Sequence, residues 1–497
     1  MTKILTTDQI RALDAYVIKH EPIASIDLME RASQQFVDWL EDNAGDAHCY
    51  GIVCGTGNNG GDGLAIARLL VELDYDVKVW IVEGGKPSAD FEINRARLPE
   101  KVEVHMITGT PAPGIFDWCT LLVDALFGSG LSRPLEGIYA DVIDCINAAE
   151  ALCVAVDIPS GLRADGPSQG AIVRATDTIS FQVPKLAFFF ASSARYIGDW
   201  HTVNIVPWNL CEDFFEKTET DHHVVDNVYH LKKHREKFSH KGTYGHALLV
   251  AGSYGKMGAA ILAARALLRA GVGLLTIHTP ARGYAILQQA VPEAMVSIDP
   301  LEDYASALPS SDGYSVIGIG PGLGQADVTV KMMHKILEAY RKPMVIDADA
   351  LNILAAHREL LSLVPPGSIL TPHPKEFERL AGKTANEFER LEKQKALARQ
   401  LRSVVVVKGA YSSIASPEGV VYFNTTGNPG MATGGTGDVL TGILTGLLAQ
   451  SYPSLDAAIL GVYLHGLAGD LAAHKLGVDS LIASDLIRYL PAAFRKI

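Results

Sequence analysis

The chain has 497 residues, 48% of them hydrophobic and 20% charged, and a formal net charge of −13. That length implies two to three domains with sizeable cores in an ordinary globular protein, and the acidic balance excludes nucleic acid as a bulk partner, so any phosphate must be held by local N–H groups and a few lysines. Six cysteines, at 49, 54, 119, 145, 153 and 211, form no CxxC pair, which excludes a disulfide framework or zinc pattern and predicts reduced, mostly buried thiols.

The opening MTKILTTDQIRALDAY lacks a signal peptide's apolar core, and no uncharged apolar run reaches the ~18 residues of a membrane span. The expectation is a cytoplasmic protein with no membrane partner. Residues 7–20 read as a helix capped by Thr6 or Thr7, with Ile10, Leu13, Val17 and Ile18 as its apolar stripe. A second helix follows over 25–42. The short apolar run 51–54 leads into GTGNNGGDG (55–63), a helical stretch 64–73 and a strand 77–82. This is the start of a doubly wound α/β domain. Gly55 to Gly60 formally match GxGxxG, and Glu83 follows the next strand, as a dinucleotide-binding dehydrogenase requires. Against that reading, Asp62 would sit at the helix start, where pyrophosphate needs neutral surroundings. Asn58 and Asn59 also place side-chain amides where the fingerprint has none, an arrangement better suited to a cation and a polar ligand rim.

Strands at 120–125 and 151–157 end in Asp124 and Asp157 and run into LFGSGLSRP and IPSGL. Ligands of open α/β sheets sit beyond the carboxyl ends of strands. One crevice holding Asn58, Asn59, Asp62, Asp124, Asp157 and Ser160 is therefore expected. Capping and turn chemistry would account for any one of them alone, less readily for three loops together. Segments 178–185 and 202–206 complete this sheet.

Residues 208–245 are charged, histidine-rich and poorly periodic, and read as the inter-domain connection. The boundaries drawn are 1–215, a linker 216–240, and 241–497. His222-His223 could suggest metal; a solvated face is the expectation. The second half alternates β and α again. It has a strand at 246–251 before GSYGKMG, a helix 259–270, a strand 272–278, SVIGIGPGLG (315–324) and PMVIDADALNIL (343–354). SILTPHPKEFERL (368–380) follows, and then strands over 403–424, the first ending at Lys408. This is a second parallel-sheet domain. Its candidates cluster at strand ends: Gly322, Asp347, Asp349, His373, Lys408, Gly437 and Asp438. Pro372 and Pro374 stiffen the loop around His373, which favours a ligand contact. Lys408 ends a buried run, where a lysine either snorkels or reaches a phosphate; phosphate is favoured.

The organising stretch is 427–446, GNPGMATGGTGDVLTGILTG, with glycines at 427, 430, 434, 435, 437, 442 and 446. Its apolar residues take helical spacing only after Asp438. A glycine loop running into a helix start favours an anion, a phosphate above all. Asp438 there is either a helix cap or a general base or acid facing a substrate hydroxyl next to a bound nucleotide, and the two are compatible. The stretch is not a Walker A loop, and the GKT at 382–384 has Phe377 where that motif needs glycine.

GGTGDVLTG resembles the anion-hole loop and catalytic Asp of the ribokinase-like superfamily. Taken with GTGNNGGDG, VDALFGSGL and VDIPSG before it, and GPGLG, DADALN, TPHPKE and KG around it, nearly the whole chain is similar to the bifunctional NAD(P)H-hydrate repair enzymes. The resemblance implies an N-terminal Rossmann-like three-layer α/β/α epimerase domain and a C-terminal ribokinase-like α/β dehydratase domain. The implied substrates are NADH and NADPH hydrated at nicotinamide C6. By resemblance, K+ ligands map to Asn59, Asp124 and Ser160. Epimerase substrate contacts map to Asn58, Asn59, Gly60, Gly61, Asp62, Gly128, Ser129, Gly130, Leu131, Ser132, Arg133, Pro134 and Asp157, with Asp157 as proton-transfer residue. In the dehydratase, hydrate contacts map to Ala259, Gly322, His373 and Asp438. Nucleotide contacts map to Lys408, Gly409, Ala410, Tyr411, Ser412 and Gly437, and Asp438 is catalytic. Phosphorylating the hydroxyl makes it a good leaving group, with 435–437 N–H groups on the transferred phosphate. ADP with Mg2+ is expected because the two-domain fusion is the bacterial form, ATP being the alternative, and family members assemble as homo-oligomers through the dehydratase domain. Two other classes remain: a ribokinase-type small-molecule kinase with an accessory domain, and a regulatory NAD-binding protein, against which Asp438, Asp157 and His373 argue.

Overall fold

Parallel strand pairing runs through both halves of the chain, as apolar runs ending in Asp or Gly loops predict. The computed structural model describes residues 1–45, 47–307 and 313–497. They separate into two units, Lys3–Thr220 and Asp221–Ile497, the latter joined by Met1–Thr2.

The first unit's sheet runs Glu103–Ile107, Asp76–Val82, Cys49–Cys54, Leu121–Ala125, Leu152–Val156, Asp177–Phe181, Asp199–Val203, with every neighbour parallel. Chain order reverses between Cys49–Cys54 and Leu121–Ala125, which makes the crevice beyond their carboxyl ends the topological switch point. Both faces are covered. Ile52 and Cys54 pack with Phe36, Leu64, Leu70 and Phe91, while Val53 packs with Phe116, Val142 and Ile146, as side-chain alternation along a strand dictates.

The helix after Cys49–Cys54 starts at Asn58 rather than at residue 64. GNNGGDG is therefore wound into its opening turns and is not a free loop. Bare glycines allow it: a Cβ at Gly60 would lie 1.8 Å from the Gly55 carbonyl oxygen, and one at Gly63 would lie 2.6 Å from the Ala125 methyl.

The second unit's sheet runs His222–Val225, Val421–Asn424, Ser413–Ala415, Val404–Val407, Ile369–Leu370, Met344–Ile346, Val316–Ile319, His246–Val250, Leu274–Thr279, Met295–Ile298. Among the described pairings of these ten strands, Ser413–Ala415 alone runs antiparallel to its neighbours. The stretch read as a linker departs from expectation. Trp208–Lys217 is a helix, and His222–Val225 is a strand parallel to Val421–Asn424. Its side chains are not a solvated face: His223 stacks on Tyr422 with ring centroids 5.2 Å apart, and burial lowers His222 to about 4. Sheet pairing to residues some 200 positions later overrides the local charge.

Helices Met257–Arg269, Thr436–Ala449, Ser454–Leu476 and Ala483–Lys496 share one core with this sheet. Thr436–Ala449 approaches Met257–Arg269 closely, since a Cβ at Gly442 would lie 2.1 Å from the Ala263 carbonyl oxygen and one at Gly446 would lie 2.8 Å from the Ala270 methyl. Two of the organising stretch's glycines thus serve helix packing rather than an anion. Among the described residues, only Ser454–Leu476 is long and apolar enough to cross a membrane. It carries Asp456, Asp470 and Lys475, and 61% of its apolar window is buried, as in a core helix.

Candidate functional site

In the second unit, Thr436–Ala449 begins at Gly435, whose φ of +94° suits glycine, and no side chain caps the opening amides. Asp438 sits inside the first turn and makes no cap bond, so Gly435 holds the cap position instead. Burial raises the Asp438 carboxyl to about 6, with Asp347 adding to the shift, Lys408 opposing it and Asp349 adding again.

Lys408, just past Val404–Val407, places its ammonium 2.8 Å from Asp347 Oδ1. Asp347 is 1% exposed, and its Oδ2 accepts from the Thr441 hydroxyl at 2.6 Å. A Cβ at Gly437 would lie 3.5 Å from Lys408 Nζ. A cation therefore stands beside the open amides, an arrangement for an oxyanion.

Two clefts flank this turn. Ala259, Gly322 and Asp438 line one of about 430 Å³, together with Lys256, Asp349 and Glu376. Lys408, Gly409, Ala410, Tyr411, Ser412 and Gly437 line another of about 750 Å³. Consecutive residues Gly437 and Asp438 thus face different cavities. His373, grouped by resemblance with the first set, lies on the wall of the second. It caps Pro374–Ala381, its Nδ1 accepting from the backbone N–H groups of Lys375 and Glu376.

Sequence reasoning missed three residues. Glu376 closes the capping box onto His373 N at 2.9 Å, and burial raises its carboxyl. Lys256 pairs with Asp349 at 3.3 Å, and Asp349 Oδ2 also accepts from Gly324 N. His465 lies on the larger cleft, lowered to about 4 by burial, and its Nε2 donates to the Thr436 carbonyl at 2.9 Å. Lys256 had a signal in GSYGKMG and Glu376 in the proline-bracketed cap; His465 had none in its helix.

In the first unit, Asp124 is fully buried, accepting from Ser160 N at 2.7 Å and Ser160 Oγ at 2.6 Å. Burial raises it to about 6 against those hydrogen bonds. Asn59 Oδ1 lies 3.1 Å from where Gly128 would carry a Cβ, and Asn59 Nδ2 is buried without a partner. Asn59, Asp124 and Ser160, with the turns after 57 and 126, thus gather at the switch point. Asp157 has φ +67°, a conformation in which Asp is among the few tolerated side chains, and its Oδ1 lies 2.6 Å from Lys185 Nζ. Lys185 is 0% exposed, and sequence reasoning passed over it in QVPK. Asp62 is pushed well up by burial, then by Asp157, Asp14 and Asp90. Two carboxylates and an ammonium, all buried, thus gather beyond the strand ends.

Residues 247–492 match the family described as NAD(P)H-hydrate dehydratase, and residues 25–187 match the YjeF-related protein N-terminus. The chain is 36% identical to a bifunctional NAD(P)H-hydrate repair enzyme of Thermofilum pendens, over 100% of this chain and 97% of the relative. It is 37% identical to one of Moorella thermoacetica, over 99% and 97%. Among solved structures, a ribokinase-like superfamily protein of Enterococcus faecalis is 29% identical with a TM-score of 0.50, covering 56% of this chain and 97% of that one. The chain belongs to the family of bifunctional NAD(P)H-hydrate repair enzymes.

Proposed function

We propose that this chain returns hydrated NADH and NADPH to the reduced cofactors, its first unit interconverting the R and S hydrates at C6 and its second removing water from the S hydrate with a nucleotide. The observation that carries the reading is the placement of Gly437 and Asp438, neighbours lining two different clefts. The larger cleft, with Lys408 at its end, suits a nucleoside diphosphate; the smaller suits the hydrated nicotinamide. Asp438 accepts the C6 hydroxyl proton as that oxygen takes the phosphoryl group. Amides of 435–437 and the Lys408 ammonium hold the charge on the transferred group. The C6–O bond then breaks with the phosphate as leaving group, C5 gives up a proton, and the C5–H electron pair forms the C5=C6 double bond. ADP is the expected nucleotide. Magnesium travels with its phosphates.

In the first unit, an all-oxygen set of Asn59, Asp124 and Ser160 suits a potassium ion. The fully buried Asp124 pairs with no ammonium or guanidinium among the described contacts, and a monovalent charge would offset its burial. The ion would neutralise Asp124 and fix the turns that carry the substrate contacts at 58–62 and 128–134. Assembly of copies through the second unit completes the reading, checked by the mass of the chain in solution.

The test uses mixed R and S NADH hydrates with ADP, Mg2+ and K+, following absorbance of the reduced nicotinamide. Complete recovery is expected. Recovery of the S share alone would remove the epimerase role. A stable phosphorylated product would replace the dehydratase by a kinase.

A further inference from the structure

We propose that Asp14 is a proton-transfer residue of the epimerase site, working opposite Asp157 and presented by a helix outside the residues that match the YjeF-related family. The proposal rests on the epimerase reading above.

The helix Thr7–His20 has two faces. Leu13 and Val17 pack with Leu28, Val183 and Ile205. Thr7, Arg11 and Asp14, at i, i+4 and i+7, line another face. The Thr7 hydroxyl donates to the Ser129 carbonyl at 3.2 Å, and Arg11 Nη2 lies 3.2 Å from where Gly130 would carry a Cβ. Two successive side chains of this face therefore meet the loop 128–134, and Asp14 comes next along it. Asp14 is half-buried; burial raises its carboxyl to about 6, with Asp157 adding and Lys185 opposing. Asp62, on the helix Asn58–Glu72, feels the charges of Asp157, Asp14 and Asp90, in that order.

Lys185 does not fill this role. Its three N–H donors go to Asp157 Oδ1, Ser180 Oγ and the Val183 carbonyl, at 2.6, 2.9 and 3.2 Å. An ammonium has no fourth. Lys185 is a positioning residue that holds Asp157. The second proton carrier must come from elsewhere, and Asp14, next along the face that carries Thr7 and Arg11, is a carboxyl whose hold on its proton burial strengthens.

Inversion at C6 needs both groups, because this carbon bears a hydroxyl and the ring nitrogen N1. Asp157 takes the hydroxyl proton. The O–H electron pair forms C6=O, the C6–N1 bond breaks with its pair going to N1, and Asp14 gives N1 a proton. Rotation about C5–C6 presents the other face. N1 then attacks C6 and returns its proton to Asp14, and the carbonyl oxygen recovers its proton from Asp157. The ring closes inverted with nothing consumed.

The test measures R-to-S conversion by the full chain bearing Asp14→Asn or Asp14→Glu, with dehydration of pure S hydrate in the same samples as a control for folding. Asp14→Asn should cut the maximal rate of R conversion about 100-fold, with KM changed less than threefold and S dehydration unchanged. Asp14→Glu should restore at least a tenth of the rate, and the fall in the parent's rate as pH rises above about 6 should be absent in Asp14→Asn. Conversion by Asp14→Asn within threefold of the parent overturns the proposal. So does a loss carried by KM, or one that glutamate does not relieve, which would assign Asp14 to packing. An unsubstituted chain that recovers S but never R defeats the epimerase reading itself, and the proposal with it.

Discussion

The Asp347 carboxylate divides its two oxygens between Lys408, at 2.8 Å, and Thr441, at 2.6 Å. One buried acid thereby locks the lysine past a strand end to the helix that starts at the glycine loop. Removing the lysine should do two things. Lys408→Met should weaken nucleotide binding, read by calorimetry. It should also destabilise the second unit by about 3 kcal/mol, because Asp347 loses its positive partner. Adding Asp347→Asn should recover much of the stability and none of the affinity.

Asp438 governs the pH dependence of dehydration. With its carboxyl near 6, the rate on S hydrate should fall tenfold per pH unit below about 6 and level off above it. Asp438→Asn should lower the rate ~10²–10⁴-fold with the nucleotide still bound. A profile flat from pH 5 to 8 would remove Asp438 as the base.

Gly442 and Gly446 should tolerate no side chain. Gly442→Ala places its methyl on the Ala263 carbonyl and should cost about 1–3 kcal/mol, measured by urea unfolding. Dehydration should fall with it while R-to-S conversion stays, since the glycines belong to the second unit. Unchanged unfolding would mean that the helices separate freely.

Potassium should act through Asp124. Raising K+ should raise the first unit's thermal midpoint and its epimerisation rate, and sodium should replace it poorly. Asp124→Asn should abolish that dependence, because an amide carries no charge for the ion to offset. A midpoint insensitive to K+ in the parent would dismiss the site.

The alternation of apolar runs with Asp- or Gly-terminated loops made both sheets legible, because parallel strands buried on two faces read as short hydrophobic runs bounded by turn residues. Asp124, Asp157 and Lys408 were visible for the same reason: each ends such a run. His222–Val225 was not, since its pairing partner lies some 200 residues away and its flanks are charged. Local pattern also could not divide the glycines of 427–446 into those that open a helix and those that let two helices touch. Lys185 was hidden because burial, not spacing, marks it. Asp14 sits on a helix whose apolar stripe explained it without a ligand.

The burial of Asp438 also bears on how long the protein lasts. Its carboxyl titrates near 6 when folded and at 3.8 when the chain is open. Between those values the folded chain keeps a proton that the unfolded chain has released, so stability falls as pH rises through that window. At neutral pH the ionised group costs folding at most about 3 kcal/mol. Asparagine there would make a sturdier and inert protein. Selection for endurance alone would therefore work against this acid, and an asparagine at 438 in a long-lived variant would signal a repair enzyme that has ceased to repair.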